Sequence, residues 1–284
     1  MSALTRCNGD VSFWQAALGA APARPALPGD LDVDVCIVGA GFTGLWTAYH
    51  LVRARPQLRV AVLERERVGF GASGRNGGWL TPAFAGPPVG VEMRRALRES
   101  VADALAVCTE EGIDCDALAG GVLRVARGPA QAARLRAAVA TEGLVALDAD
   151  ELAARVRVAG ASAGAWSPDG VRIQPAKLVR GLATAAERRG ARIYEQTAVR
   201  ELRARSASRG GAAAALSDHG AVRAPVVLSC AEGFTPQLRG QRRTLLPLNS
   251  AIVVTEPLSQ VAWAAIGWHE GELLGDTAHA YVYA

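Results

Sequence analysis

The sequence predicts an α/β fold, α+β overall, that opens on a βαβ unit of a parallel sheet, and three observations carry that prediction. Residues 33–38, Val-Asp-Val-Cys-Ile-Val, form a β-branched apolar run bounded by glycine, as a central strand covered on both faces requires. Leu45, Ala48, Tyr49 and Val52 follow at i, i+3, i+4 and i+7, the apolar stripe of a helix packed on that strand. Val60-Ala61-Val62-Leu63 then supplies a second strand.

Composition sets the bounds. With 284 residues, 50% of them apolar, the chain can bury a large core and is long enough for two domains. Charges interrupt every apolar stretch short of the ~18 residues of a membrane span, and Arg6 and Asp10 do not suit a signal peptide. A cytoplasmic location is expected. The net charge is +4, yet Lys177 is the single lysine and the arginines are dispersed among alanines, so no basic face for nucleic acid is expected. The cysteines (Cys7, Cys36, Cys108, Cys115, Cys230) are odd in number and scattered, and the histidines (His50, His219, His269, His279) do not cluster. Free thiols are expected, with neither a disulfide framework nor a metal site.

Further along, a short helix around Phe13–Leu18 precedes a proline-rich extended arm at 20–30. Residues 69–78, Gly-Phe-Gly-Ala-Ser-Gly-Arg-Asn-Gly-Gly, are too rich in glycine for helix or strand and predict a loop with unusual backbone angles or a close approach to something. Helices are predicted at 91–111, 130–142 and 150–156, the last capped by Asp148 or Asp150, and a strand at 121–126. Pro175 and Gly190 bracket a helix with Leu178, Leu182, Ala185 and Ala186 on its apolar face. Arg192-Ile193-Tyr194 then returns to the parallel sheet, and turn signals at 208–211 and 218–220 divide 198–229 into a three-stranded antiparallel meander. The last recognisable pieces are 250–255 and 279–284. The second alternates as a half-buried strand and runs to the final residue, an edge that invites aggregation, so a C-terminal truncation is expected.

The chemistry lies in Gly39-Ala40-Gly41-Phe42-Thr43-Gly44, between the first strand and its helix. In that setting the first glycine permits a tight turn, the second lets the backbone approach a pyrophosphate, and the third lets helix and strand pack closely. The helix N-terminus offers N–H groups and partial positive charge to phosphates. Glu64 closes the second strand, where a carboxylate accepts hydrogen bonds from both ribose hydroxyls and repels a 2′-phosphate. A dinucleotide site is therefore predicted. The 69–78 loop points to FAD, because a flavoprotein needs a further loop against the pyrophosphate and flavin edge, and Ser73, Asn76, Gly77 and Gly78 offer donors without bulk. An NAD-dependent dehydrogenase is the alternative, disfavoured by the lack of a second glycine-rich strand-to-helix junction. A non-catalytic truncated remnant is the other.

Hydrolytic readings fail. Arg75 stands where a nucleophile elbow at Ser73 needs glycine. The pairs Asp114/Asp116 and Asp148/Asp150 suit solvated loop or cap roles. Trp79, Trp263 and Trp268 suit core packing better than an aromatic wall around a substrate.

Residues 35–44, Glu64, 71–78, 175–182 and 231–235 together resemble the D-amino-acid oxidase superfamily of FAD-dependent oxidoreductases, in particular the branch that contains gamma-glutamylputrescine oxidoreductase. The resemblance implies oxidation of a C–N bond of an amine or amino acid by hydride transfer to the flavin, giving an imine, with oxygen or another electron acceptor reoxidising the flavin. It implies that Gly39–Gly44, Glu64 and Arg65 serve the adenosine and pyrophosphate, that Val199 pairs through its backbone with adenine, and that Ala231, Glu232 and Gly233 close over the dinucleotide. Ser73, Arg75, Asn76, Gly77, Gly78, Trp79 and Leu80 would line the flavin. No catalytic side chain is singled out, because the cofactor carries the chemistry. Substrate contacts are expected around 249–254 and Tyr281.

The implied architecture is an N-terminal arm (1–30), a Rossmann-like FAD-binding domain with a β-meander (31–85 and 170–235), and a substrate domain on a mixed or antiparallel sheet (86–169 and 236–284). Members of the superfamily continue with further substrate-domain strands and a glycine-rich strand-to-helix segment at the flavin end, so the substrate domain is expected to be incomplete here.

Overall fold

A computed structural model describes residues 11–83, 89–205, 212–279 and 281–284. The chain divides into two compact units, residues 1–76, 111–114 and 175–252 in the first and 77–110, 115–174 and 253–284 in the second. Cys7 and the turn expected at 208–211 lie outside the described residues.

The first unit begins with α1 (Phe13–Leu18), β1 (Leu31–Asp32), β2 (Val35–Val38), α2 (Phe42–Ala54) and β3 (Val60–Leu63). β2 and β3 pair in parallel, Val35 beside Val60 through Val38 beside Leu63, and all eight side chains are buried. Burial on both faces explains why neither strand alternates in sequence. Leu45, Ala48, Tyr49 and Val52 form the buried face of α2 together with Gly44.

The second unit takes over with β4 (Trp79–Leu80), α3 (Val91–Glu111), β5 (Val122–Ala126), α4 (Pro129–Glu142), β6 (Val145–Leu147), α5 (Ala149–Arg155), β7 (Ala163–Ser167) and β8 (Val171–Arg172). Asp148 is the cap of α5. Its carboxylate accepts the Asp150 and Glu151 N–H groups while Glu151 reaches back to the Asp148 N–H, a reciprocal capping box. The compact units change at 76 and 174, and β4 pairs antiparallel with β8 within the second unit.

The chain returns to the first unit with α6 (Pro175–Arg188), β9 (Arg192–Tyr194), β10 (Val199–Arg203), β11 (Ala213–Ser217), β12 (Gly220–Ala224) and β13 (Val226–Ser229). β10, β11 and β12 form the antiparallel meander, and β1 adds to the β12 edge in parallel. β13 leaves the meander and pairs with β2, so the main sheet has the all-parallel order β13-β2-β3-β9. Val33, Cys36, Val38, Ala61 and Leu63 pack against Ala215, Val222 and Ala224 of the meander. Residues 236–252 stay with this unit, where the Arg239 N–H donates to the Arg200 carbonyl at 2.8 Å.

The tail of the second unit holds α7 (Gln260–Ile266) and β14 (Leu273–Asp276). β14 runs parallel to β5 while β5–β7 and β6–β7 are antiparallel, so this sheet, β14-β5-β7-β6, is mixed. Residues 250–255 do not form the regular element their apolar run suggests; they are irregular and exposed. β-propensity becomes a strand only beside a paired edge. The final residues do pair: Leu274 and Ala284 exchange two backbone hydrogen bonds, at 2.9 and 2.7 Å, and the Asp276 N–H donates to Val282 at 3.0 Å. Among the described residues no helix is long and apolar enough to cross a membrane.

Candidate dinucleotide site

The glycines between β2 and α2 are each required by a neighbour. Gly39 turns the chain at φ +110°, and a Cβ there would lie 2.6 Å from the Cys230 carbonyl oxygen. A Cβ on Gly44 would lie 2.0 Å from the Gly39 carbonyl oxygen, so the first turn of α2 is pressed directly onto the end of the strand. Gly41 is the N-cap of α2 and makes no side-chain capping bond. The cap comes from elsewhere: Ser73 Oγ accepts the Phe42 N–H at 2.8 Å, and it stands 2.9 Å from where a Gly41 Cβ would be. Thr43 is exposed on the first turn of α2, where its carbonyl accepts the Thr47 hydroxyl at 2.7 Å.

Glu64 follows β3. Its Oε2 accepts the Ala40 N–H at 2.8 Å and its Oε1 accepts the Glu66 N–H at 3.0 Å. Each carboxylate oxygen thus keeps further acceptor capacity. Burial raises the Glu64 pKa above the ordinary carboxylate value, and the two N–H bonds oppose that shift. The backbone is held as well, with its N–H on the Tyr194 carbonyl and its carbonyl on the Thr197 N–H, both at 2.8 Å.

Arg65 does not reach toward the glycines. Its guanidinium lies over the Phe234 ring, 4.8 Å from the centroid, and bonds Gln237 and Glu66. It thereby ties the 3₁₀ turn Glu232–Gln237 to the end of β3. Phe234 packs against Gly71, where a Cβ would stand 3.2 Å from the ring. Ala231 precedes this turn, Glu232 adopts φ +43°, and a Cβ at Gly233 would meet nothing within 4 Å. Val199 opens β10 opposite Ser217, with a register shift before Glu201.

The 69–78 segment contains a short 3₁₀ turn, Ala72–Gly74, which corrects the expectation of a wholly irregular loop. Three-residue 3₁₀ turns tolerate glycine where a longer helix would not. Asn76 Nδ2 donates to the Ala72 and Ser73 carbonyls at 3.2 and 3.0 Å, and Arg75 Nε donates to the Phe70 carbonyl at 2.5 Å with its guanidinium over the Phe70 ring. Both side chains therefore hold the loop itself. Gly77, Gly78, Trp79 and Leu80 belong to the second unit. There a Gly77 Cβ would stand 2.6 Å from the Tyr283 ring, Gly78 accepts the Ile173 N–H at 2.8 Å, and Trp79 meets Tyr283 edge to face.

Of the other tryptophans, Trp268 packs with the Leu123 and Leu152 cluster while Trp263 is largely exposed beside it. Cys36, Cys108, Cys115 and Cys230 are free, and burial pushes the Cys36 thiol up to about 12. Although the sequence separates them, Cys108 and Cys115 are hydrogen-bonded to each other. Sequence reasoning missed four residues around this loop: Ser12 and Trp14, which bond it, and Gln15 with Arg180, which bond each other beside it. None carries a glycine or spacing signal.

A glycine-lined strand-to-helix junction in a parallel sheet, with a half-buried carboxylate held at the end of the next strand, defines a dinucleotide-binding protein. The pattern of the FAD dependent oxidoreductase family (DAO) matches residues 34–284, and the chain belongs to that family. It is 31% identical over 207 residues to gamma-glutamylputrescine oxidoreductase of Escherichia coli, covering 67% of this chain and 48% of that protein. It is 27% identical to the probable oxidoreductase OrdL of Rhizobium meliloti, covering 87% and 60%, and 26% identical to mouse (Mus musculus) mitochondrial sarcosine dehydrogenase, covering 84% and 27%. The chain thus spans 60% or less of these relatives. Its fold is similar to that of glycine oxidase from Geobacillus kaustophilus, with TM-score 0.65 and 23% identity over 75% of this chain and 58% of that one. L-proline dehydrogenase from P. horikoshii aligns with TM-score 0.70 and 15% identity over 90% and 67%.

Proposed function

We propose that this chain binds FAD through its first unit and contributes it to the oxidation of a C–N bond in a small amine or amino acid. The observation that carries the reading is the fit of the adenosine diphosphate half: Gly39, Gly41 and Gly44 leave no room for side chains, and Glu64 presents a fixed carboxylate beside the Ala40 N–H. Gly39–Gly44 with the start of α2 would hold the pyrophosphate, and Glu64 the ribose hydroxyls. Val199 would serve the adenine, Ala231–Gly233 would close over the dinucleotide with Arg65 anchoring that turn, and Ser73 with the loop backbone that Arg75 and Asn76 hold would face the flavin. When bound, the flavin supplies the acceptor for the hydride leaving the carbon next to nitrogen, and an imine results.

The substrate class is supported by the names of the relatives, which act on gamma-glutamylputrescine, sarcosine, glycine and L-proline. Oxygen or another acceptor would take the electrons onward. The test is titration of the purified protein with FAD and, separately, with NAD, followed by gel filtration. Flavin absorbance co-eluting with the protein is the expected result. Failure to take up FAD, or preference for NAD, would overturn the reading.

A further inference from the structure

Helix α1 has an unusual footing: its one buried residue is a polar one, Gln15, at 4% exposure, while Phe13 is exposed. A helix of six residues has almost no stability of its own, and apolar packing ordinarily supplies it. Here the hydrogen bonds run to the glycine loop and to Arg180 of α6. Ser12 Oγ donates to the Gly74 carbonyl at 2.6 Å, and the Trp14 indole Nε1 donates to the Asn76 carbonyl at 2.8 Å. Gln15 Oε1 accepts both Nε, at 2.8 Å, and Nη2 of Arg180, and that same Nη2 donates to the Gly19 carbonyl at 2.9 Å. With its oxygen so held, the Gln15 amide nitrogen packs against the loop without a hydrogen-bond partner among the described residues, 2.9 Å from where a Gly74 Cβ would be and 3.3 Å from a Gly69 Cβ.

The contacts bracket Ser73, the residue whose hydroxyl accepts the first N–H of α2 inside the glycine cradle. Ser12 fixes the carbonyl of the next residue. Trp14 fixes the backbone of Asn76, whose side chain in turn donates to the Ser73 carbonyl at 3.0 Å. A small shift of Gly74 or Asn76 would carry the Ser73 oxygen away from the Phe42 N–H.

We infer that α1, through Ser12, Trp14 and the Gln15–Arg180 pair, is a positioning element that sets the glycine loop, and Ser73 in particular, for the cofactor. The inference rests on the FAD reading above. Trp14→Phe keeps an aromatic ring and removes the indole donor. Gln15→Glu keeps the Arg180 pair and turns a carboxylate oxygen, not an NH₂, toward the loop. Ser12→Thr retains both the capping and the donating hydroxyl and is the conservative control.

Hydrogen exchange of the protein without FAD should show residues 69–76 exchanging several-fold faster in Trp14→Phe and Gln15→Glu, with β2 and β3 unchanged and Ser12→Thr like the parent. The FAD dissociation constant should rise roughly three- to tenfold in Trp14→Phe, the scale of one hydrogen bond, and similarly in Gln15→Glu, whose buried carboxylate oxygen would face the loop with no donor. Unchanged loop exchange overturns the inference. So does a loosened loop with unchanged FAD affinity, which would make α1 merely structural. A parent protein that takes up no FAD refutes the cofactor reading and, with it, the purpose assigned to α1, whereas the exchange comparison separately decides whether α1 holds the loop.

Discussion

Each unit of this protein sets a glutamate beside a four-stranded sheet, Glu64 half-buried and Glu272 buried, and the two are held in opposite ways. Glu64, at the end of β3 in the parallel sheet, gives each carboxylate oxygen a backbone N–H, from Ala40 and from Glu66. Glu272, just before β14 in the mixed sheet, is compensated by a side-chain charge. One oxygen bonds Arg155 at 3.2 Å, and the other has no hydrogen-bond partner among the described residues. Backbone donors fix a carboxylate's direction and leave its charge available to a ligand. A guanidinium neutralises the charge and locks it into the packing, here with Arg155 also lying over the Trp166 ring. The difference separates a carboxylate disposed for recognition from one disposed for structure.

The largest effect that tests the contrast is steric. Gly44→Ala should cost about 3 kcal/mol, because its Cβ would fall 2.0 Å from a backbone oxygen that cannot swing aside, and FAD uptake should fall with it. Denaturant unfolding and flavin titration check both. Arg155→Met should cost about 2 kcal/mol in unfolding free energy, below the usual figure for a broken buried pair because the arginine is about a third exposed, and should leave FAD affinity untouched. A loss of FAD affinity in Arg155→Met would erase the distinction.

Glu64→Gln should do the reverse, weakening FAD roughly tenfold, since the amide must turn its NH₂ toward a backbone N–H or toward the ribose. Fluorescence titration measures it. The smallest effect is in pH. Because the native Glu64 carboxyl has a raised pKa, the folded protein binds this proton more tightly than the unfolded chain does. That contribution is full below the ordinary value of 4.5 and is lost as pH rises through the higher native value. Melting of the protein without FAD across this window should show the loss in the parent and not in Glu64→Gln.

Much of the first unit was legible because its signals are local. The β2–glycine–α2 junction, the apolar face of α2 and the proline-to-glycine bracket around α6 each lie within one turn or one strand. The Cys108–Cys115 contact was hidden by a turn that folds two scattered thiols together. Residues 250–255, recognisable in sequence as an apolar run, are irregular and exposed, because such a run says nothing about whether a partner edge is present.

By itself, then, the sequence determined that a parallel βαβ unit would close on a glycine cradle with a carboxylate at the next strand end, since strand run, glycine turn and helix stripe are each written in residues a few positions apart. Only the tertiary structure decided what holds that cradle in place. Ser73 reaches Phe42 across 31 positions, Trp14 reaches Asn76 across 62, and Arg180 reaches Gln15 across 165. Polar contacts over such separations have no period and no motif, and they come into being only when the fold brings their partners together.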